Sequence, residues 1–165
     1  MKILAIDPGN TESAYVLMDE EYRPLKFGKV DNYQMRQIIS DMETETLMAG
    51  FRSTGPLKTV IEMVASYGMA VGKEVFETCV WIGRYTELTS HSEYIYRKDV
   101  KLNLCGQTRA KDTNIIQALK DRFGDKGTAK APGWFYGFKK DIWQAYGVGV
   151  TYLDLMKEGG VDGKS

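Results

Sequence analysis

The chain opens on an unbroken apolar run, Ile3-Leu4-Ala5-Ile6, that stops at Asp7-Pro8-Gly9. A short run of this kind closed by a Pro-Gly turn predicts a buried strand. Ser13 to Met18 repeats the run after Gly9-Asn10 and predicts a second strand hairpinned on the first, and Leu25 to Val30 predicts a third. From Gln34 to Ala49 the period changes. Met35, Ile38, Ile39, Met42 and Leu47 mostly keep the spacing of one helical face, and Gly50 ends the segment. Lys58-Thr59-Val60-Ile61-Glu62 then returns to strand logic, a β-branched run closed by a carboxylate as the first run is closed by Asp7.

Residues 63–72, with glycines at 68 and 72, predict a mobile loop that leads into a helix from about Lys73 to Ser90. Glu93 to Lys98 predicts a short strand and residues 99–109, with Cys105-Gly106, a connection. Ile115, Ile116, Leu119 and Phe123 share a helical face that Gly124 ends, and residues 124–137, with four glycines and Pro132, predict a loop. The clearest pattern is the last, a helix from about Lys139 to Lys157. There Ile142, Ala145, Tyr146, Gly149, Val150 and Leu153 fall at offsets 0, 3, 4, 7, 8 and 11. Gly147 and Gly149 each cost about 1 kcal/mol against Ala inside a helix, a penalty accepted where a helix must lie tight against a sheet. Asp141 falls in the first turn, with Gln144 and Ala145 three and four residues on and on the packing side. Three strands, a helix, a strand, a helix, a strand and two helices make an α/β fold. Its mixed five-stranded sheet has the first three strands antiparallel and the rest parallel, flanked by helices.

At 165 residues this suits one domain, expected over residues 1–158, with 159–165 as a flexible tail. An apolar content of 43% and a charged content of 27% are ordinary for a globular chain. The opening apolar run is too short for a signal peptide or a membrane span, so a cytoplasmic protein without a membrane partner is expected. Cys79 and Cys105 lack the spacing of a zinc site and read as reduced, ordinary residues. With His91 the only histidine, metal clusters built on histidine and a Ser-His-Asp triad are improbable, although one His could still act as a base. The chemistry falls to carboxylates.

Net charge is zero, but its distribution is uneven. Residues 1–96 carry 9 Lys/Arg and 14 Asp/Glu, residues 97–140 carry 11 and 4, and residues 141–165 carry 2 and 4. A charged stretch is most often a solvated face. Beside a carboxylate cluster, however, a basic stretch is what a metal-dependent nuclease needs, because phosphate affinity requires Lys and Arg while phosphodiester hydrolysis requires anionic metal ligands. Asp7 closing one strand, Glu62 closing another and Asp141 opening a tightly packed helix could meet at one sheet edge and hold hard cations such as Mg²⁺ or Mn²⁺. Each has an ordinary reading by itself: turn residue, exposed strand end, and helix-dipole partner. Their joint arrangement carries the argument.

Lys2-Ile3-Leu4-Ala5-Ile6-Asp7-Pro8-Gly9 closely resembles the first strand of RuvC-type Holliday junction resolvases, which carry an Ile-Asp-Pro-Gly motif. Glu62, after Thr59-Val60-Ile61, resembles that family's second acidic residue, and Asp141-Ile142-Trp143-Gln144-Ala145-Tyr146-Gly147-Val148 resembles its last helix, where two aspartates stand three apart. The order and rough spacing agree over nearly the whole chain. The resemblance implies an RNase H-like fold and a structure-selective endonuclease that resolves four-way or other branched DNA as a homodimer, with two Mg²⁺ or Mn²⁺ ions in each site. It assigns Asp7, Glu62 and Asp141 as catalytic metal ligands. The chain departs from the family pattern at Gln144, where a neutral amide, or a water it holds, would be the fourth ligand; a phage-like variant fits this better than a bacterial housekeeping enzyme. Lys111 resembles a family lysine near the scissile phosphate and would offset developing charge. Tyr67 is the candidate for stacking on unpaired junction bases, with Lys98 and Arg109 as further DNA contacts.

Three rival readings bear on the same residues, and the last two stay open. The same early-aspartate hairpin opens the actin-like ATPase fold, but that architecture needs two such domains, and with no Gly-Lys-Ser/Thr loop no nucleotide cofactor is expected. A non-catalytic branched-DNA-binding protein is compatible with Gln144. Ordinary RNase H activity would act on an RNA–DNA hybrid.

Overall fold

Ile3-Leu4-Ala5-Ile6 has no polar face because both sides of its strand are covered. In the computed structural model, which describes residues 1–49 and 56–159, all four side chains are fully buried. They lie in β1 (Lys2–Asp7), which pairs antiparallel with β2 (Glu12–Asp19); β2 pairs antiparallel with β3 (Pro24–Asp31). After α1 (Asn32–Ala49), β4 (Leu57–Met63) returns parallel to β1, and after α2 (Lys73–Thr86), β5 (Ser92–Tyr96) lies parallel to β4. Three helices follow: α3 (Arg97–Cys105), α4 (Asp112–Phe123) and α5 (Ile142–Lys157). The sheet order is β3-β2-β1-β4-β5, the mixed five-stranded arrangement expected of an RNase H-like fold.

Strand alternation divides the core into two layers. Ile3, Ala5, Ala14, Val16 and Val60 face α5, with α3 and α4 outside it, while Leu4, Ile6 and Ile61 face α1 and α2. Gly149 permits the first layer, since a Cβ there would run into Met18 Sδ and stand 3.0 Å from Ala5 Cβ. Gly147 faces the other way, and a Cβ on it would meet Val100 Cγ1 of α3 at 3.3 Å. The two glycines therefore let α5 approach a helix on one side and the sheet on the other.

Five expectations need correction. Residues 99–109 are not a plain connection. Most of them form α3, whose single fully buried residue, Val100, gives almost no periodic signal and whose end is set by Gly106 in the left-handed conformation (φ 70°). The strand expected to run to Lys98 stops at Tyr96, so Lys98 sits in the first turn of α3, and the helix expected to reach Ser90 stops at Thr86. Asp141 caps α5 from the residue before it rather than lying within its first turn. In α1, Leu47 is 66% exposed, while Glu43 is buried and bonded by Ser90 Oγ at 2.8 Å. Gly50, the expected end of that helix, and nearly all of the expected tail lie outside the described residues. Among the described residues no helix is long and apolar enough to cross a membrane.

Candidate metal centre and nucleic-acid cleft

Asp7 is the last residue of β1 and Glu62 the penultimate residue of β4. The parallel register sets Ile6 opposite Ile61; continued by one residue, it sets the two carboxylates side by side. Both share strand parity with Ala5 and Val60 and so belong to the face that α5 covers. Asp141 reaches the same edge from α5, its carbonyl accepting the backbone N–H groups of Gln144 and Ala145, each at 3.0 Å. The carboxyl ends of parallel strands are where open α/β sheets bind ligands.

The turn behind Asp7 is held rigidly. Ser13 Oγ donates to Asn32 Oδ1 at 2.7 Å, Asn32 Nδ2 donates to the Gly9 carbonyl at 2.9 Å, and the Tyr85 hydroxyl lies 3.0 Å from Ser13 Oγ. A Cβ at Gly9 would strike the Glu12 carbonyl oxygen, so only glycine fits this turn.

Two basic side chains are threaded among the carboxylates. Lys29 shares a row with Asp7 across the sheet, since Asp7 pairs with Ala14 and Ala14 with Lys29. Its Nζ reaches past the small Ala14 side chain to Asp141 Oδ2 at 2.7 Å and to Glu12 Oε2 at 3.4 Å. Arg97, just beyond β5, sets Nη1 3.3 Å from Glu62 Oε2 and Nη2 2.5 Å from Asp112 Oδ1 at the start of α4. Asp7 stands between these pairs, and no hydrogen bond or ion pair to its carboxylate is formed among the described residues. Burial, then the neighbouring Glu62 charge, pushes Asp7 up to about 8, with Asp141 adding to the rise while Arg97 and Lys29 oppose it. Glu62 is raised too, by burial first, against the pull of Arg97.

Among the described residues no three His, Cys, Asp or Glu side chains converge closely enough to form a ready-made cation cage. The donor chemistry nevertheless fits a hard divalent cation, since every ligand candidate is an oxygen. Asp7 at this edge also lacks the positive charge that its ionised form needs. Gln144 is buried, and its Oε1 has no hydrogen-bond donor among the described residues, which leaves that oxygen available to a cation or a water.

A cleft of about 200 Å³ opens beside the carboxylates, lined by Asp7, Glu62, Tyr67 and Arg97 and walled by Val75 of α2. A second, of about 320 Å³, is lined by Tyr67, Arg97, Lys98, Lys101 and Thr108. Tyr67 and Arg97 line both, so an acidic cleft joins a basic one across an exposed aromatic ring.

No protein-family model and no curated protein sequence matches the chain. Solved structures do. A Thermus thermophilus RuvC structure superposes with a TM-score of 0.65 over 97% of this chain and 98% of that one, at 18% identity. T. thermophilus RuvC in complex with Holliday junction substrate superposes with a TM-score of 0.63 over 97% of each chain, at 15% identity. The fold is of the RuvC type.

On this RuvC-type fold the residues singled out from sequence divide into three groups. Asp7, Glu62 and Asp141 share one edge, while Tyr67 and Lys98 line the clefts beside it. Lys111 precedes α4, its backbone N–H donating to Asn114 Oδ1 at 2.8 Å, next in sequence to the Asp112 that Arg97 holds; Arg109 is exposed and lines neither cleft. His91 immediately precedes β5, at the opposite end of that strand from Ile95, the residue paired with Glu62, so it is remote from this chemistry. The sequence reading missed Lys29, Arg97 and Lys101. Lys101 lies one helical turn after Arg97 and pulls the Glu62 carboxyl downward. The available signal was the basic stretch that begins at Arg97, but a segment read as a connection did not point it at the carboxylates.

Proposed function

We propose that the protein is a structure-selective endonuclease that cleaves four-way or other branched DNA with two divalent cations, Mg²⁺ or Mn²⁺. The observation that carries this reading is the adjacency of Asp7 and Glu62 at the carboxyl ends of β1 and β4, with Asp141 beside them and a basic cleft next door. The RuvC-type fold supports it, and the Holliday junction in one structural neighbour supports branched DNA as the substrate class. Asp7, as the central carboxylate, would hold the cations together with Glu62, Asp141 and the Gln144 amide oxygen. When bound, the cations would polarise the scissile phosphate and acidify the attacking water. Lys98 and Lys101 would hold the backbone in the second cleft, and Tyr67 would stack on an unpaired base at the junction. Lys111 and Arg109 would contact flanking phosphates, with Lys111 offsetting charge on the leaving strand. A homodimer would present two such sites to two symmetric strands.

A labelled four-way junction and a linear duplex of the same sequence, each incubated with Mg²⁺ or Mn²⁺, test the proposal. Paired nicks in the junction and none in the duplex are expected, and Asp7→Asn should abolish cleavage while junction binding persists. Absence of nicking with either metal would overturn the enzyme reading. Retained junction binding would then leave a non-catalytic branched-DNA-binding protein, a reading favoured by Gln144 and by the ion pairs already occupying Glu62 and Asp141.

A further inference from the structure

The outer two carboxylates of the edge are each paired with a basic residue from a different element, Asp141 with Lys29 and Glu62 with Arg97, while Asp7 between them has no such partner among the described residues. Both cations sit where they could serve elsewhere. Lys29 belongs to β3, the edge strand of the sheet, and its side chain is 32% exposed. Arg97 lines both clefts and is 22% exposed, with its guanidinium turned toward the acidic edge and its neighbours Lys98 and Lys101 in the basic cleft. A divalent cation bound by Asp7 and either outer carboxylate would take the oxygen that Lys29 or Arg97 now holds. It would also repel that side chain. Arg97 keeps Asp112 Oδ1 at 2.5 Å and Lys29 keeps Glu12 Oε2 at 3.4 Å as second anchors, so each stays at the edge. The side of its charge that is freed would then turn to the phosphate backbone of the substrate, which a guanidinium grips in bidentate fashion and an ammonium as a point charge.

We infer that Lys29 and Arg97 exchange partners: they stand in for divalent cations in the metal-free site and turn to the phosphates flanking the scissile bond when the cations arrive. The inference rests on the metal-site reading above and assigns these two residues as substrate-positioning groups that also set metal affinity. It requires effects of opposite sign from one substitution. Removing the positive charge frees a ligand oxygen and relieves repulsion of the incoming cation, so metal binds better; the same change removes a phosphate contact, so DNA binds worse. An ion pair that serves only the fold would still repel an incoming cation, but its loss has no reason to weaken DNA binding, so the pairing of the two effects is what discriminates.

Calorimetric titration of the DNA-free protein with Mn²⁺, together with junction binding measured in Ca²⁺, separates the possibilities. Lys29→Gln and Arg97→Gln should each bind Mn²⁺ several-fold more tightly than the unaltered chain. Each should also bind the junction several-fold more weakly, with a salt dependence shallower by about one phosphate contact. Arg97→Lys, which keeps the charge, should restore junction binding most of the way, and thermal unfolding confirms that each variant is folded. Mn²⁺ affinity that is unchanged or weaker in both glutamine variants would overturn the inference, as would undiminished junction binding, and either result leaves the metal site standing. If neither the unaltered chain nor any variant binds Mn²⁺, the metal-site reading fails and the inference fails with it.

Discussion

Under the proposed function, Gln144 is the residue on which the chemistry of this edge would turn. It lies one helical turn after Asp141, buried among groups that give its amide oxygen no donor among the described residues, and an amide oxygen binds a hard cation less strongly than a carboxylate. Gln144→Asp supplies the missing charge with a shorter side chain at the same helical position. Mn²⁺ affinity should rise on the order of tenfold and junction nicking in Mg²⁺ should speed up, while the metal-free protein loses stability because another carboxylate is buried without a partner. Unchanged Mn²⁺ affinity in calorimetry would remove position 144 from the ligand set. The acidic residues were legible in the sequence because each ends or opens an apolar element, and an element's end is a position that can be read from pattern. The cations were not. Lys29 reaches Asp141 only because Asp7, Ala14 and Lys29 align across three strands, a register that no local pattern encodes.

At the scale of elements, the strands and the long amphipathic helices were legible because burial imposes period and length on them. α3 was not legible, because one buried valine in a polar segment carries no period. Its presence changes the meaning of Gly147, which accommodates α3, and leaves Gly149 as the residue that admits α5 to the sheet. Two glycines in helices then predict opposite outcomes for one substitution. Gly83 of α2 is exposed, with no atom within 4 Å of where a Cβ would stand, so Gly83→Ala should stabilise the protein by about 0.5–1 kcal/mol through helix propensity alone. Gly149→Ala gains the same propensity but forces Met18 and Ala5, both fully buried, to move. Overpacking of that kind costs about 1–3 kcal/mol, so a net loss is expected. Urea unfolding of the two variants compares them directly. If Gly149→Ala proved as stable as Gly83→Ala, the tight approach of α5 to β1 and β2 would be wrong.

At the scale of the whole molecule, the fold gathers carboxylates at one edge and leaves Asp7 without an ion-pair partner among the described residues, so stability and metal binding would be coupled at the proposed site. Asp7 is pushed up to about 8 in the folded state, mainly by burial and by Glu62, from an unfolded value near 4. Glu62 shifts the same way. The folded protein therefore holds protons that the unfolded chain has released, and its stability must fall as pH rises. This contribution is complete below about pH 4 and is lost progressively as the pH approaches about 8. Without metal, the melting temperature should be lower at pH 8 than at pH 6. A divalent cation at the proposed site would act in the opposite sense, since it would bind the ionised carboxylates of the folded chain. At a hundred times its dissociation constant it adds about 2.7 kcal/mol, which for a domain of this size raises the melting temperature by roughly 5–10 °C. Asp7→Asn removes the central charge, so it should melt higher than the unaltered chain at pH 8 without metal, show a flatter pH profile and gain little from Mn²⁺. Thermal melts at pH 6 and pH 8, with and without Mn²⁺, give all three comparisons. A variant that melts lower at pH 8 in the absence of metal would show that the Asp7 carboxylate is favourably placed without a cation, and the electrostatic case for a metal at this edge would be lost.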